Sequence, residues 1–429
     1  MSVSEVISVH ILTMGCAKNE VDSDNMRVRL SAAGYRMVEE PEDAQAVIVN
    51  TCSFIQSATE ESLQAIFEMA GLPGMETGDV KLIVAGCMPA RYGDDLASEL
   101  NEASAFVPCS KEDDIVAILD ALFPHRSKLE ETASAPEVLS AYVKISDGCN
   151  RFCSYCSIPY IRGRYHSFPF DRIDADVAAQ IARGAREIVL IAQDTGRWGD
   201  DFEEPSTLAW LMSTLAQKYP QTWFRVMYLQ PEGITDELLG AMQAHENICS
   251  YLDIPFQHAN ERILSRMNRK GSAAEYLKLI AHIREMVPGI TLRTTFIAGF
   301  PGESEDDFQE LCDFVEDVDF DYVGVFPYSL EEGTRAATFD DQIDDDVKIE
   351  RAQAVRDIAD AISRERVAAR VGSQLDVLVL GSEEDGQLFG RAKCQAPDVD
   401  GVVYVHQGEI GDIVSVTIND TLMYEMEGE

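Results

Sequence analysis

Cys149, Cys153 and Cys156 stand in the run Ser146–Ser157 with the spacing C-x3-C-x2-C. Three thiolates so placed can each hold one iron of a 4Fe–4S cubane. The fourth iron then lacks a protein ligand, and an open metal position marks a catalytic site rather than a structural one. A zinc knuckle would show two C-x2-C pairs and a fourth ligand. Here no second pair exists, and the nearest histidine, His166, is ten residues beyond Cys156. The spacing predicts an iron–sulfur cluster with one free coordination position.

The elements that must position such a site alternate along the chain. Apolar runs at Ile7–Leu12, Ala46–Val49 and Leu82–Ala85 lead into Cys16, Cys52 and Cys87. Helical patterns follow at Glu20–Ala33, Gln56–Ala70 and Gly93–Leu100. Strand–loop–helix repeats predict a doubly wound parallel sheet, whose ligands sit beyond the carboxyl ends of the strands. The three cysteines lie at such ends, so they can converge although each is more than thirty residues from the next. A second three-cysteine site is one reading. Small thiols at buried strand ends are the other, and Cys109, after the strand-like Ala105–Val107, fits that one equally well.

Residues 125–138, with Pro136, read as a linker. Strand candidates then recur at Ala141–Ile145, Glu187–Ala192, Trp223–Tyr228, Tyr251–Ile254, Thr291–Ile297 and Tyr322–Phe326. Six strands with intervening helices predict a partial βα barrel of TIM type, with the Cys149 loop at its C-terminal mouth. Gln193 and Asp194 end one strand, and Gln257 and His258 end another. An acidic run, Asp340–Asp346, precedes a long helical pattern over Val347–Ala369, where negative charge favours a helix start. Short strands at Leu375–Leu380, Leu388–Ala392, Gly401–Val405 and Ile413–Ile418 then predict a small closed barrel. The expected fold is α/β and multidomain: a doubly wound sheet over 5–124, a linker over 125–138, a partial βα barrel over 139–366 and a small antiparallel β-barrel over 367–429.

The chain has 429 residues, consistent with about three domains. No apolar run approaches the ~18–20 residues of a membrane span. The opening Met-Ser-Val-Ser-Glu lacks the basic and apolar regions of a signal peptide, so a cytoplasmic location is expected and the ten cysteines read as thiols or metal ligands. A net charge of −40 repels phosphate backbones and attracts basic partners, unless it serves only solubility or a salty habitat. Residues 366–429 hold four basic residues, Arg366, Arg370, Arg391 and Lys393, against twelve acidic ones, which makes direct nucleic-acid binding doubtful.

These residues resemble a known family. The Cys149–Cys156 loop, with Tyr155 before its last cysteine, resembles that of the radical S-adenosylmethionine enzymes, and Thr295–Glu303 resembles their glycine-rich strand. Gly15-Cys-Ala-Lys-Asn-Glu20, Asn50-Thr-Cys52 and Ala85-Gly-Cys87 resemble the N-terminal domain of the methylthiotransferases, which carry a TRAM domain where the C-terminal barrel stands here. The match spans essentially the whole chain in the expected order. It departs after Arg162-Gly163, where the family often has Ser-Arg and this chain has Ser167-Phe168. No role of that arginine can be carried over.

The resemblance implies two [4Fe-4S] clusters, one on Cys149, Cys153 and Cys156 and an auxiliary one on Cys16, Cys52 and Cys87. Cys109, Cys249, Cys312 and Cys394 match no motif and read as structural thiols. Two S-adenosylmethionine molecules are implied, one a methyl donor and one a radical source, together with a cluster-bound sulfur. The substrate is then either an aspartate of ribosomal protein S12, modified at its β-carbon, or an adenosine of transfer RNA. Cys16-Ala-Lys-Asn-Glu-Val-Asp-Ser23 and Glu332-Gly-Thr334 look like the ribosomal branch; the RNA branch more often has Gln-Met-Asn and Pro-Gly-Thr there. An unactivated C–H bond needs a radical cofactor. Tyr155 packs either near the adenine or simply beside the cluster. Gly299 and Gly302 admit either the adenosyl group or a tight turn. Glu303 contacts the cofactor or favours a helix start, and Gln193 and Asp194 are candidates for its ribose or amino group. The implied partners are S12 or the small ribosomal subunit, an electron donor and a sulfur donor, with no membrane. From a different class, a non-catalytic iron–sulfur or zinc-dependent RNA-binding protein is the alternative.

Overall fold

The computed structural model describes residues 5–129 and 137–429. Half of the expected linker, residues 130–136, lies outside the described residues.

The N-terminal part is a parallel sheet of five strands, β1 (Ser8–Thr13), β2 (Arg36–Met37), β3 (Ala46–Thr51), β4 (Lys81–Gly86) and β5 (Ala105–Pro108), in the order β2-β1-β3-β4-β5. Every residue of β3 is buried, as a central parallel strand covered on both faces requires. The helices are α1 (Ala17–Ala32), α2 (Gln56–Ala70), α3 (Cys87–Glu99) and α4 (Ile115–Leu122). Two of these elements are absent from the sequence expectation. β2 has only two residues, too few to show a period, and α4 reads Ile-Val-Ala-Ile-Leu-Asp-Ala-Leu, an apolar run that periodicity cannot assign to strand or helix. α3 starts at Cys87 rather than near Gly93, where its backbone breaks (φ 53°, ψ −126°).

The central part begins with β6 (Ser140–Lys144), then a short antiparallel pair, β7 (Ser146–Asp147) and β8 (His166–Ser167), around the cysteine loop and α5 (Ile158–Ile161). α6 (Phe170–Ala182), β9 (Glu187–Ile191), α7 (Leu208–Lys218), β10 (Trp223–Val226), α8 (Asp236–Ala244) and β11 (Tyr251–Asp253) follow. Then come α9 (Glu261–Arg266), α10 (Ala273–Met286), β12 (Thr291–Ala298), α11 (Glu305–Val318) and β13 (Tyr322–Pro327). All six expected barrel strands form, as two parallel three-stranded sheets, β10-β9-β6 and β11-β12-β13. The pleat separates two cores. Ile188 and Leu190 of β9 pack under the outer helices, while Val189 and Ile191 face the barrel interior beside Met227 and Tyr251.

α12 (Asp345–Ala368) places Asp345 and Asp346 in its first turn and leads to β14 (Gln374–Ser382), β15 (Leu388–Ala392), β16 (Val403–Val405), β17 (Ile413–Leu422) and β18 (Glu425–Gly428). These close into a barrel with antiparallel pairs and one parallel pair, β16 with β18. β18 was not expected, because Glu-Met-Glu-Gly has no β-branched residue to signal it. The barrel meets the central strands at their N-terminal ends. Arg391 pairs with Glu187, which also takes Arg225 at 2.9 Å, and Tyr251 donates to Asp400 at 2.5 Å. Among the described residues no helix is long and apolar enough to cross a membrane.

Candidate functional site

Cys16, Cys52 and Cys87 follow β1, β3 and β4, three adjacent strands, at their carboxyl ends. Cys16 is the residue before α1 and is exposed; Cys52 and Cys87 are buried. Gly15 has a φ of 93°, and a Cβ there would overlap that of Cys52, so only glycine lets the Cys16 loop lie this close. Asn19 ties the loops together. Its Nδ2 donates to Met14 O and Thr51 O, both at 2.9 Å, and its Oδ1 lies 3.7 Å from the Cys87 sulfur. Burial pushes the Cys52 and Cys87 thiols up, and Arg162 opposes this at Cys87, its Nη2 3.9 Å from the sulfur.

Cys149 is buried, and Cys153 and Cys156 are half-buried. Their loop is pinned from both sides. Cys149 N donates to Gly163 O at 3.2 Å, Ser154 N to Met267 O at 2.9 Å, and Asn268 Nδ2 to the carbonyls of Arg151 and Phe152 at 3.0 Å. Burial pushes the Cys149 and Cys156 thiols up. Among the described residues no three metal-ligating side chains surround a single-ion position. A cubane puts each thiolate on its own iron and asks for no such point.

The two cysteine sets are neighbours. Arg162 reaches from Cys87 to Asp147 (3.3 Å), two residues before Cys149, and also holds Asn19 (2.7 Å) and Asp22 (3.0 Å). Ser157 Oγ, next to Cys156, donates to Phe54 O, two residues past Cys52, at 3.1 Å. Lys144 pairs with Asp22 and, at 3.2 Å, with Asp147. On the far side Glu331 receives Gln56 N at 2.8 Å and Arg91 at 3.1 Å. Lys18, the second residue of α1, sets its Nζ 3.0 Å over the Tyr228 ring at the end of β10, and burial draws its ammonium down to about 8.

The other expected site residues divide. Gln193 gives Nε2 to Asp147 Oδ1 at 2.9 Å, and its buried Oε1 has no partner. Asp194 is taken by Arg151 at 2.5 Å. Tyr155 packs with Ile263, Met267, Phe300 and Tyr328. Glu303 turns inward: it accepts Gly299 N at 3.0 Å, Arg351 at 2.8 Å and His258 Nε2 at 3.2 Å. Gly299 (φ 74°) lies against α12, where a Cβ would fall 2.6 Å from Lys348 Cγ, and a Cβ on Gly302 would overlap Asp341. Gln257 holds a φ of 73°. Cys249, Cys312 and Cys394 are buried, and Cys109 donates to Ile161 O at 3.4 Å. Sequence reasoning missed Arg162, Asp147, Asp22 and Lys18 as site residues, although Lys18, Asn19 and Asp22 lie inside the motif that follows Cys16.

Comparison with known proteins agrees with this organisation. Residues 8–108 match a family described as uncharacterized protein family UPF0004, 143–315 the radical SAM superfamily and 371–429 the TRAM domain. The chain is 39% identical over 440 residues to the ribosomal protein uS12 methylthiotransferase RimO of Natranaerobius thermophilus, covering 99% of each chain. It is 40% identical to the RimO of Trichlorobacter lovleyi, covering 98% of this chain and 97% of that one. Among solved structures, the radical S-adenosylmethionine methyltransferase TsrM of Kitasatospora setae shares the fold, with a TM-score of 0.56, 12% identity and coverage of 75% of this chain and 74% of that one. With both cysteine sets on the expected strand ends and relatives aligned from end to end, the chain belongs to the family of ribosomal protein uS12 methylthiotransferases, RimO.

Proposed function

We propose that this protein replaces a β-hydrogen of an aspartate in ribosomal protein uS12 with a methylthio group. The observation that carries this reading is the adjacency of two three-thiol sets at one barrel mouth, linked through Arg162 and Ser157. We assign Cys149, Cys153 and Cys156 to one [4Fe-4S] cluster and Cys16, Cys52 and Cys87 to an auxiliary one. Residues 5–124 then carry the auxiliary site, 139–366 the radical chemistry and 367–429 the TRAM barrel.

The residues fit these groups. All six cysteines are free thiols, soft ligands suited to iron–sulfur clusters. The orphaned Gln193 Oε1 is an acceptor for the amino group of S-adenosylmethionine. When bound, the clusters and cofactor would supply the radical chemistry that removes a β-hydrogen and the methylthio group that takes its place. The chain's own work is placement. Asn19 and Gly15 fix the auxiliary loops, and Asn268 and Ser154 fix the cofactor loop. Arg162 ties the two together through charge-assisted bonds to Asp22 and Asp147. Glu303 and Gly299 shape the wall under α12 rather than offering free polar atoms. An external electron donor and sulfur donor complete the reaction, in the cytoplasm where ribosomes are modified.

The test offers anaerobically reconstituted protein S-adenosylmethionine, sulfide and reductant with either a uS12 target-loop peptide or unmodified transfer RNA. Mass spectrometry should find one methylthio group on the peptide aspartate and none on RNA. Gain on adenosine alone would move the protein to the RNA branch. Absence of both products and of 5′-deoxyadenosine from cluster-loaded protein would favour a binding protein.

A further inference from the structure

Lys18 is two residues beyond Cys16, in the first turn of α1. It is 9% exposed, and its Nζ stands 3.0 Å above the Tyr228 ring. Tyr228 leaves β10 with a φ of 63°, and its N–H is given to Asp253 Oδ2 at 3.1 Å, so the ring is held under the lysine by a backbone conformation that side chains rarely adopt. Apart from that ring, the lysine has no hydrogen bond or ion pair among the described residues. The charges that favour its ammonium come from the Cys16 sulfur, assigned above to the auxiliary cluster, and from carboxylates that are already committed. Asp253 takes Arg293 at 2.9 Å and Tyr228 N. Asp147 takes Gly148 N and Gln193 at 2.9 Å, Lys144 at 3.2 Å and Arg162 at 3.3 Å. Asp22 takes Lys144 and Arg162.

An ammonium carries three donors, and a ring face satisfies none of them as an acceptor lone pair would. Buried cations are normally paired, and an unpaired one at a reaction mouth marks a place for an anion. The substrate supplies one. The carbon to be modified is bonded directly to the aspartate carboxylate, so that carboxylate must lie within a few bonds of the arriving sulfur. The sulfur site contains Cys16, and Lys18 is its neighbour on the same helix turn.

We propose that Lys18 receives the side-chain carboxylate of the substrate aspartate and is the residue that selects aspartate over asparagine. This assignment rests on the function proposed above. Tyr228 supplies the platform that keeps the ammonium at the mouth. The other carboxylate available at this site is that of S-adenosylmethionine, and the experiment separates the two.

Fluorescent target-loop peptides carrying Asp or Asn at the modified position would be titrated by anisotropy into reconstituted wild type, Lys18→Met and Lys18→Arg, with S-adenosylmethionine binding measured in parallel. Wild type should bind the Asp peptide about 10- to 100-fold more tightly than the Asn peptide, the span of a charge-assisted hydrogen bond. Lys18→Met should bind both alike, Lys18→Arg should recover part of the preference, and all three should bind S-adenosylmethionine equally. Wild type that does not distinguish Asp from Asn overturns the assignment. So does a Lys18→Met variant that keeps the preference, or one that loses S-adenosylmethionine binding. If wild type methylthiolates the Asp peptide while any of these holds, only the role of Lys18 falls. If wild type modifies no aspartyl peptide, the proposed substrate falls and takes this assignment with it.

Discussion

Cys87 lies against the link between the two cysteine sets, because Arg162 touches its sulfur and the carboxylate two residues before Cys149. The trio's loops are nevertheless held chiefly within their own domain, by Asn19 and the close approach at Gly15. The two sites should therefore load independently. Wild type should carry about eight irons per chain, and the triple alanine variant at Cys149, Cys153 and Cys156 about four, as should the triple variant at Cys16, Cys52 and Cys87. Iron and acid-labile sulfide assays with circular dichroism check this, and a folded triple variant with no iron would refute independence. The spacing of Cys149, Cys153 and Cys156 is legible within a single loop, whereas the strand-end rule predicts only that Cys16, Cys52 and Cys87 converge and leaves a second site and buried thiols equally open until the family resemblance is added. Arg162, Asp147 and Lys18 were not legible, because Arg162 and Lys18 find partners in another domain, Asp147 finds Gln193 forty-six residues on, and no local period marks any of them. Glu303 shows the same limit, since its partners include Arg351, which lies on α12, forty-eight residues on.

At the scale of elements, the terminal barrel is joined to the central one by buried charge rather than by apolar surface alone. Glu187, the first residue of β9, is 1% exposed and lies between Arg225 and Arg391. Burial pushes its carboxyl up, but the two guanidinium groups outweigh this and hold it at about 2. A carboxyl whose folded value lies below its unfolded one, here 4.5, stabilises the fold fully above that value. The contribution is lost as pH falls from about 4.5 through about 2. Glu187→Gln leaves two buried cations facing a neutral amide, so it should cost about 3–5 kcal/mol at pH 7. The difference from wild type should shrink as pH falls through that window. Denaturant unfolding at a series of pH values checks both, and a cost that does not change with pH would show that shape, not charge, matters at this position. None of this network shows in the strand patterns. Val189 and Ile191 announce a buried strand by type, whereas a glutamate at its start reads as a strand boundary until the residues from 391 onward are folded against it. The same holds for β18, whose sequence becomes a strand only because β16 and β17 offer it edges.

At the scale of the whole molecule, the net charge of −40 is unevenly used. The four basic residues at 366–429 are all turned toward the central domain: Arg366 and Arg370 to Asp321, Arg391 to Glu187 and Lys393 to Glu246 O. What the terminal barrel offers outward is carboxylate. A field of this sign attracts a basic protein to the molecule and repels a polyanion. Steering acts on the encounter and is screened once the Debye length falls below the separation of the charges, about 10 Å at 0.1 M and about 3 Å at 1 M salt. The contact proposed at Lys18 is screened far less, because the side chain is buried. Raising salt from about 0.05 to about 0.5 M should therefore lower kcat/KM for intact uS12 about tenfold or more, while kcat at saturation stays nearly constant. Steady-state kinetics across that range decide the matter. A kcat/KM independent of salt would mean that the charge serves solubility and that recognition begins at the mouth itself.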